Sequence, residues 1–381
     1  MENKMDIKCV VNKKSVKKNK ALKNAQKSAR KYYQEKLFDR APGVTKTKLR
    51  KLADLSQVQY KRISDIELSN QTEAVKLSKE ALIELCKKGG LTGRSGNGFE
   101  VAKKLEAFPK NGGTLLINGA ECDPGLVTDS WLYRKKQNFI LQGALTMQHA
   151  LSLDKVILAT KEPLQDIKGI QQVKVPDRFP IGYEKYLITQ VLGVTLNADE
   201  LPQSKGILVM NLQTVIAIAE LLQDLQAGVY KYITVANLLT AEAKVARVHI
   251  GDSAEEVAAK CFSQSVVSGN TLYVGGGALN CHKAKKGELI QDTTGYIAIG
   301  NMPNYADAGK CKGCGACTRN CPAGVQVHKL VQHVEKEGTN TGNACKDFHP
   351  TACIGCGSCT YGCMAGKDVR AMVAQAKMGL S

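Results

Sequence analysis

Residues 311–322 read Cys311-Lys-Gly-Cys314-Gly-Ala-Cys317-Thr-Arg-Asn-Cys321-Pro322, and residues 353–363 read Cys353-Ile-Gly-Cys356-Gly-Ser-Cys359-Thr-Tyr-Gly-Cys363. Each run is C-x2-C-x2-C-x3-C, the spacing that holds two [4Fe–4S] cubes when it occurs twice. Three closely spaced thiolates cap three irons of one cube because the chain wraps around it. The fourth cysteine of each run reaches the other cube. The spacing therefore predicts Cys311, Cys314, Cys317 and Cys363 on one cluster, and Cys353, Cys356, Cys359 and Cys321 on the other. A zinc site uses four ligands, usually as two separated C-x2-C pairs, and does not require two identical runs of four. Met364 stands after the second run where Pro322 follows the first, a change that removes no ligand.

Outside these runs the chain reads as an ordinary globular sequence. Its 381 residues allow about two or three domains, and its apolar content is 43%. The opening residues show no apolar signal stretch, and no apolar run reaches the ~18 residues that span a bilayer. Fourteen cysteines without a secretory signal point to metal or redox use in a reducing compartment rather than to disulfides. A cytoplasmic location is expected, or a peripheral one at the inner face of the membrane. Cys9, Cys86, Cys122, Cys261, Cys281 and Cys345 remain, and read as buried thiols, with Cys345 the exception to watch because it lies just before the second run.

The net charge of +18 is concentrated at the start. Residues 1–70 hold 19 Lys and Arg against 7 Asp and Glu. A basic arm of this kind suits an acidic protein partner or an anionic surface. No nucleic-acid-binding motif accompanies it, so nucleic acid is not expected as a partner. The bland reading is a solvated, partly helical arm over residues 1–72.

Residues 73–228 alternate between strand and helix patterns, which means a parallel sheet and an α/β domain. A helix is expected over 72–88, stopped by Gly89-Gly90. The loop Gly90-Leu-Thr-Gly93-Arg94-Ser95-Gly96-Asn97-Gly98-Phe99 follows, and opens a helix over 100–108. Such glycines let backbone approach a ligand, and the helix start favours an anion, with Arg94 and Lys104 adding positive charge. The loop is neither a Walker loop nor G-x-G-x-x-G, and read alone it is as well explained as a structural turn. A strand over 114–118 then runs into Gly119-Ala-Glu121-Cys-Asp123-Pro-Gly125, and a long helix is expected from Thr128, as cap, to about Leu151. Asn118, Glu121 and Asp123 thus fall at the carboxyl end of a strand, where ligands bind in open α/β sheets. Further strands are expected over 155–159, 172–175 and 207–210, with helices over 186–192 and 213–225. From 229 to 300 the pattern becomes that of a small α+β module with strands over 232–235, 245–250 and 272–274. No Ser/His/Asp grouping or His pair for metal appears there. Residues 301–381 form the cluster domain, with helices over 325–336 and 368–378.

At this point the chain resembles a known family. Gly93-Arg-Ser-Gly96-Asn-Gly98-Phe99 and Leu116-Ile-Asn118-Gly-Ala-Glu121-Cys-Asp123-Pro124-Gly125 resemble the flavin-binding region of RnfC and of the NADH-oxidising flavoprotein subunit of respiratory complex I. Phe179-Pro-Ile-Gly182-Tyr-Glu184-Lys185 resembles the RnfC pattern Tyr-Pro-x-Gly-x-Glu-Lys, and residues 245–251 are similar to the start of the β-grasp module of those proteins. The resemblance covers about residues 75–381. It implies an α/β FMN-binding domain, a small β-grasp module and a C-terminal bacterial-ferredoxin-like dicluster domain. It also implies FMN resting on Gly93, Arg94, Gly96, Gly98 and Lys104, with Asn118, Glu121 and Asp123 around its ring and ribityl chain. NADH or ferredoxin would stand on one side, and a redox partner, in a membrane-associated complex, on the other. Ser95 and Asn97 depart from the Gly and Ala usual in that loop.

Three readings are open on the residues alone. The first is a flavin and iron–sulfur oxidoreductase whose cofactors supply the chemistry. The second is a cluster-only electron-transfer adaptor with a degenerate flavin site. The third is a basic scaffold whose clusters are structural.

Overall fold

The computed structural model describes residues 55–63, 66–70, 73–95, 98–109, 112–121, 123–177, 179–197, 200–301, 309–338 and 346–378. Most of the expected basic arm lies outside these residues, as do Gly96, Cys9, Cys122 and Cys345. The described residues form two compact units, one within Ala41–Met302 and one within Pro303–Ser381.

In the first unit the earliest strand, β1 (Gln59–Arg62), pairs in parallel with residues far along the chain, Gln59 facing Lys244 and Arg62 facing Arg247. Tyr60 stacks on Trp131 with ring centroids 5.0 Å apart, which anchors it further. This strand falls within residues 1–72, so the basic arm is shorter than that span.

The helix expected over 72–88 is Lys79–Lys88. Ser78 sets its start by accepting the Ala81 N–H at 3.1 Å, and the stretch before it is extended, with the Val75 N–H donating to Thr146. The strands β2 (Thr114–Gly119), β3 (Lys155–Thr160), β4 (Gln171–Lys174) and β5 (Ile207–Asn211) make a wholly parallel sheet in the order β4-β3-β2-β5. The pleat sends Leu116, Ile157, Ala159 and Val209 to one face, against Leu187 and Ile188 of helix Glu184–Leu192. Leu115, Ile117, Leu158 and Leu208 are buried on the other, which carries helices Gln137–Leu151 and Leu212–Leu221. Those two helices pack so closely that a Cβ on Gly143 would run into the Val215 carbonyl.

The long helix expected from Thr128 to Leu151 is two, Thr128–Lys135 and Gln137–Leu151. Lys136 leaves the helical region, with φ −123° and ψ 34°, and its ammonium lies 4.6 Å from the centre of the Phe139 ring. Thr128 is the first helical residue rather than the cap, and its hydroxyl meets that of Thr234 at 2.8 Å.

The remaining strands are β6 (Tyr230–Asn237), β7 (Glu242–His249), β8 (Leu272–Gly275), β9 (His282–Lys283) and β10 (Tyr296–Ile299). With β1 they form a six-stranded sheet in the order β1-β7-β6-β10-β8-β9. A hairpin, then helix Ala254–Phe262, then β8 and a last strand β10 that returns parallel beside β6, is the β-grasp arrangement. Ile233, Val235, Val248, Val257, Ile297 and Ile299 fill its core. The strand β10 has no counterpart in the sequence reading.

The second unit pairs helix Val327–Glu337 with helix Val369–Met378. Val325, Leu330, Val331, Val369 and Val373 pack with Cys317 and Cys359 into one apolar core.

Candidate functional site: a strand-end edge and two four-thiol cavities

The carboxyl ends of β2, β3 and β5 lie side by side, with Asn118 in register with Ala159 and Asn211. The Asn118 amide donates to the Gly182 carbonyl at 2.8 Å, and its oxygen accepts the Ala120 N–H at 3.1 Å. Asn211 caps helix Leu212–Leu221 and donates to Asp129 Oδ2 at 2.8 Å. Glu121 turns back onto the start of helix Thr128–Lys135 and accepts the N–H groups of Asp129 (3.0 Å) and Ser130 (3.3 Å). Burial pushes Glu121 up, against the pull of Lys161 and the backbone donors. Burial also pushes Asp129 up to about 8, with the charge of Glu121 adding to it. Asp123 is pushed up to about 7, first by burial. It is pressed against Gly277, and its Oδ1 is buried with no hydrogen-bond partner among the described residues, as is Ser130 Oγ.

The Gly-rich loop is closed at its base by the Gly93 N–H on the Phe99 carbonyl, 2.8 Å, and Gly98 has φ +59°. Lys104 faces Glu184, with Nζ 3.3 Å from Oε2. Arg94 differs from what its sequence position suggests. Its guanidinium is buried and donates to Thr92 Oγ1 and to the Gly228 carbonyl, with Asp292 3.9 Å away. Burial lowers it to about 10. It ties the loop to the turn before β6, and reaches Asp292 of the β-grasp module by charge, instead of presenting a cation at the surface. The hydrogen bond across the junction is that of the Thr92 hydroxyl, which donates to Asp292 Oδ1 at 2.9 Å, while Lys231 holds the Asp292 carbonyl at 2.6 Å from within the β-grasp module.

Sequence reasoning missed Asn211 and Asp129. An Asn immediately before a helical stripe is a cap signal that pointed to the first. Nothing local announced Asp129, whose place depends on Glu121 and Asn211. Asp123 Oδ1 and Ser130 Oγ are buried without a partner among the described residues, while the Asn118 amide and the Lys104 ammonium already pair with Gly182 and Glu184. Arg94 is paired as well.

In the second unit Cys311, Cys314, Cys317 and Cys363 line one cavity. Cys321, Cys353, Cys356 and Cys359 line another. Each run is wrapped by glycines in the left-handed region, Gly313 and Gly315 in the first and Gly355 and Gly357 in the second. In each run one backbone N–H points at a sulfur, Gly313 to Cys311 and Gly355 to Cys353, both at 3.4 Å. Burial and the neighbouring thiols push Cys317 up to about 11, and the same causes raise Cys359 further. Thiols so placed ionise only when cations share the cavity. Among the described residues no three His, Cys, Asp or Glu side chains converge on a single-ion site. Four cysteines around each cavity supply the donor set of a multi-iron cube. Cys86, Cys261 and Cys281 are buried elsewhere, and burial raises the first two to about 12 and about 11.

Residues 86–220 match the Complex1_51K family, the Nuo51 FMN-binding domain. Residues 303–364 match the Fer4_10 family, a 4Fe-4S dicluster domain. The RnfC component of the ion-translocating oxidoreductase complex of Vibrio cholerae is 24% identical over 285 residues, 71% of this chain and 37% of that protein. The Haemophilus influenzae protein of the same name is 24% identical over 275 residues, 68% of this chain and 34% of its own length. That of Rhodobacter capsulatus is 28% identical over 260 residues, 63% and 49%. The chain thus spans about a third to a half of the length of these relatives. An NAD+-reducing [NiFe]-hydrogenase chain in the air-oxidized state shares the fold, with TM-score 0.56 and 17% identity over 80% of this chain and 63% of that one. The chain is therefore RnfC-like, joining a Nuo51-type FMN-binding domain to a 4Fe-4S dicluster domain in one polypeptide.

Proposed function

We propose that the chain is an electron-transfer protein that takes electrons from NADH or ferredoxin and delivers them to a redox partner in a membrane-associated assembly. The observation that carries this reading is the pair of four-thiol cavities in the same polypeptide as the Nuo51-type domain. Bound FMN exchanges electrons in pairs or singly, and each four-iron cube takes one.

The chain's own residues hold and orient these groups. Cys311, Cys314, Cys317 and Cys363 would bind one cube, and Cys353, Cys356, Cys359 and Cys321 the other. The backbone at Gly93, Gly96 and Gly98 would allow close approach of the flavin phosphate and ribityl chain, with Lys104 supplying the opposing charge. Asn118 would present its amide at the strand end. Asp123 Oδ1, raised towards neutrality by burial, would hold a proton beside the ring. We assign residues 73–228 to the flavin module, 229–300 to the β-grasp module and 301–381 to the cluster module. Strand β1 belongs with the β-grasp sheet.

The RnfC relatives carry the name of an ion-translocating complex, which supports a peripheral place at the cytoplasmic face of a membrane. Among the described residues no helix is long and apolar enough to cross one. The basic start of the chain would steer an acidic partner, an attraction that salt screens over ~8 Å at physiological ionic strength.

Anaerobic purification followed by iron analysis, a visible spectrum and addition of NADH tests the reading. About eight irons per chain and a flavin band that bleaches with NADH are expected. Iron without flavin after incubation with FMN would favour the cluster-only adaptor, a reading that the inward-turned Arg94 supports. Stoichiometric zinc in place of iron would overturn both.

A further inference from the structure

The two cysteine runs sit in halves that match position for position. Thr318 answers to Thr360, and the backbone N–H groups of His328 and Arg370 donate to those hydroxyls at 2.8 and 2.7 Å. The backbone donors on Cys311 and Cys353 are alike as well, at 3.4 Å each. Against this equivalence the side chains that differ become informative.

Ser358 stands where the first half has Ala316. Both are buried, at 0% and 1% exposure. Ser358 Oγ lies 3.2 Å from Cys356 Sγ. An iron-bound cysteine carries no proton, so in the loaded site the hydroxyl must donate and the sulfur accept. No hydroxyl can do this at Ala316. A hydrogen bond to a cluster sulfur favours the reduced, more negative cube and raises its potential, more strongly where water is excluded. A second difference lies at the surface. Lys377 donates to the Cys353 carbonyl at 3.1 Å, where the first half has Glu335 accepting the Cys311 N–H at 3.0 Å. Lys367 lines the first cavity, but it pairs with Glu335 at 2.9 Å, so that its charge is offset. Lys312, also at the first cavity, is exposed and screened by water, as are Lys377 and Arg319, which donates to the Cys314 carbonyl at 2.8 Å, so the buried Ser358 hydroxyl is what separates the two sites.

We propose that Ser358, by donating its hydroxyl hydrogen to Cys356 Sγ, sets the cube held by Cys353, Cys356, Cys359 and Cys321 at the higher reduction potential of the two. In the loaded protein that cube would be the one to hold an electron shared between the two, the first cube giving it up with no bond made or broken. The inference rests on the proposal that the two cavities hold four-iron cubes.

The test is an EPR-monitored redox titration of the full chain, purified anaerobically with its iron counted. Ser358→Ala should lower the higher of the two midpoints and leave the lower one in place. The expected size is about tenfold in the equilibrium between the cubes, or ~59 mV for a one-electron centre. Ser358→Thr, which keeps the hydroxyl, should retain the parent value. Ala316→Ser should raise the lower midpoint and narrow the gap. Unchanged midpoints in an iron-replete Ser358→Ala protein, or movement of the lower midpoint instead, would overturn the inference while leaving the cofactor reading intact. Absence of iron from the parent protein would overturn the cofactor reading itself. Should Ser358→Ala lose its cube, Ala316→Ser decides: a raised lower midpoint supports the proposal and an unmoved one rejects it.

Discussion

The cysteine cavities and the strand-end edge hold their groups in opposite ways. In the C-terminal unit the eight cavity thiols come from two short runs, whose backbone is shaped by glycines with positive φ. At the strand ends the polar groups come from β2, from β5 and from the turns after them, and most already have work within the protein. Glu121 caps a helix, Asn118 holds the Gly182 segment, and Arg94 ties the loop to the Gly228 carbonyl. A cofactor bound through covalent ligands is specified by spacing along the chain. A cofactor bound by hydrogen bonds depends on an edge that several elements assemble, so few of its residues serve the ligand alone.

The sharpest test of this contrast removes one thiol. Cys317→Ala should abolish one cube, cutting iron by about half, because each cube needs four thiolates. It should also lower the melting temperature, since the metal holds together a loop-rich unit. Iron analysis with thermal melts checks both, and an unaltered iron content would break the assignment.

Arg94→Met comes next. Its buried hydrogen bonds to Thr92 and Gly228 tie the loop to the turn before β6, and bonds from a charged group contribute about 1.5–3 kcal/mol. A loss of roughly 2 kcal/mol or more in urea unfolding is therefore expected. A variant of full stability that has lost only FMN affinity would place Arg94 among the ligand-binding residues after all.

The buried carboxylates give a smaller effect with a definite sign. Asp129 ionises near 3.8 when unfolded and near about 8 when folded. Between these values the unfolded state releases the proton and the folded state keeps it, so stability falls as pH rises from about 4 to about 8. Asp129→Asn should flatten that slope in denaturant titrations across the range. A slope equal to that of the parent would show that Asp129 is ionised throughout.

Lys104→Ala should have the least influence on stability. Its partly exposed pair with Glu184 is worth under ~1 kcal/mol. Weaker FMN retention on gel filtration with an unchanged melting temperature is the expected result. Equal losses in both would make Lys104 a structural residue like Arg94.

Much of the molecule was legible in the chain, for a physical reason. Cysteine spacing and intervening glycines act over a few residues, and the alternation of apolar strands with amphipathic helices reports a parallel sheet without knowledge of neighbours. What escaped was set by distant partners. The strand β1 became part of the β-grasp sheet because Tyr60 finds Trp131 and its backbone finds β7. The helix after Thr128 broke at Lys136, which no glycine or proline marked. Arg94 sits in a loop that reads as a phosphate cradle, yet its side chain runs to a carbonyl 134 residues away. Composition and spacing determined which groups this protein can hold. Only the tertiary structure decided which polar side chains remain for a ligand, because the free energy of a buried charge depends on every dipole packed around it.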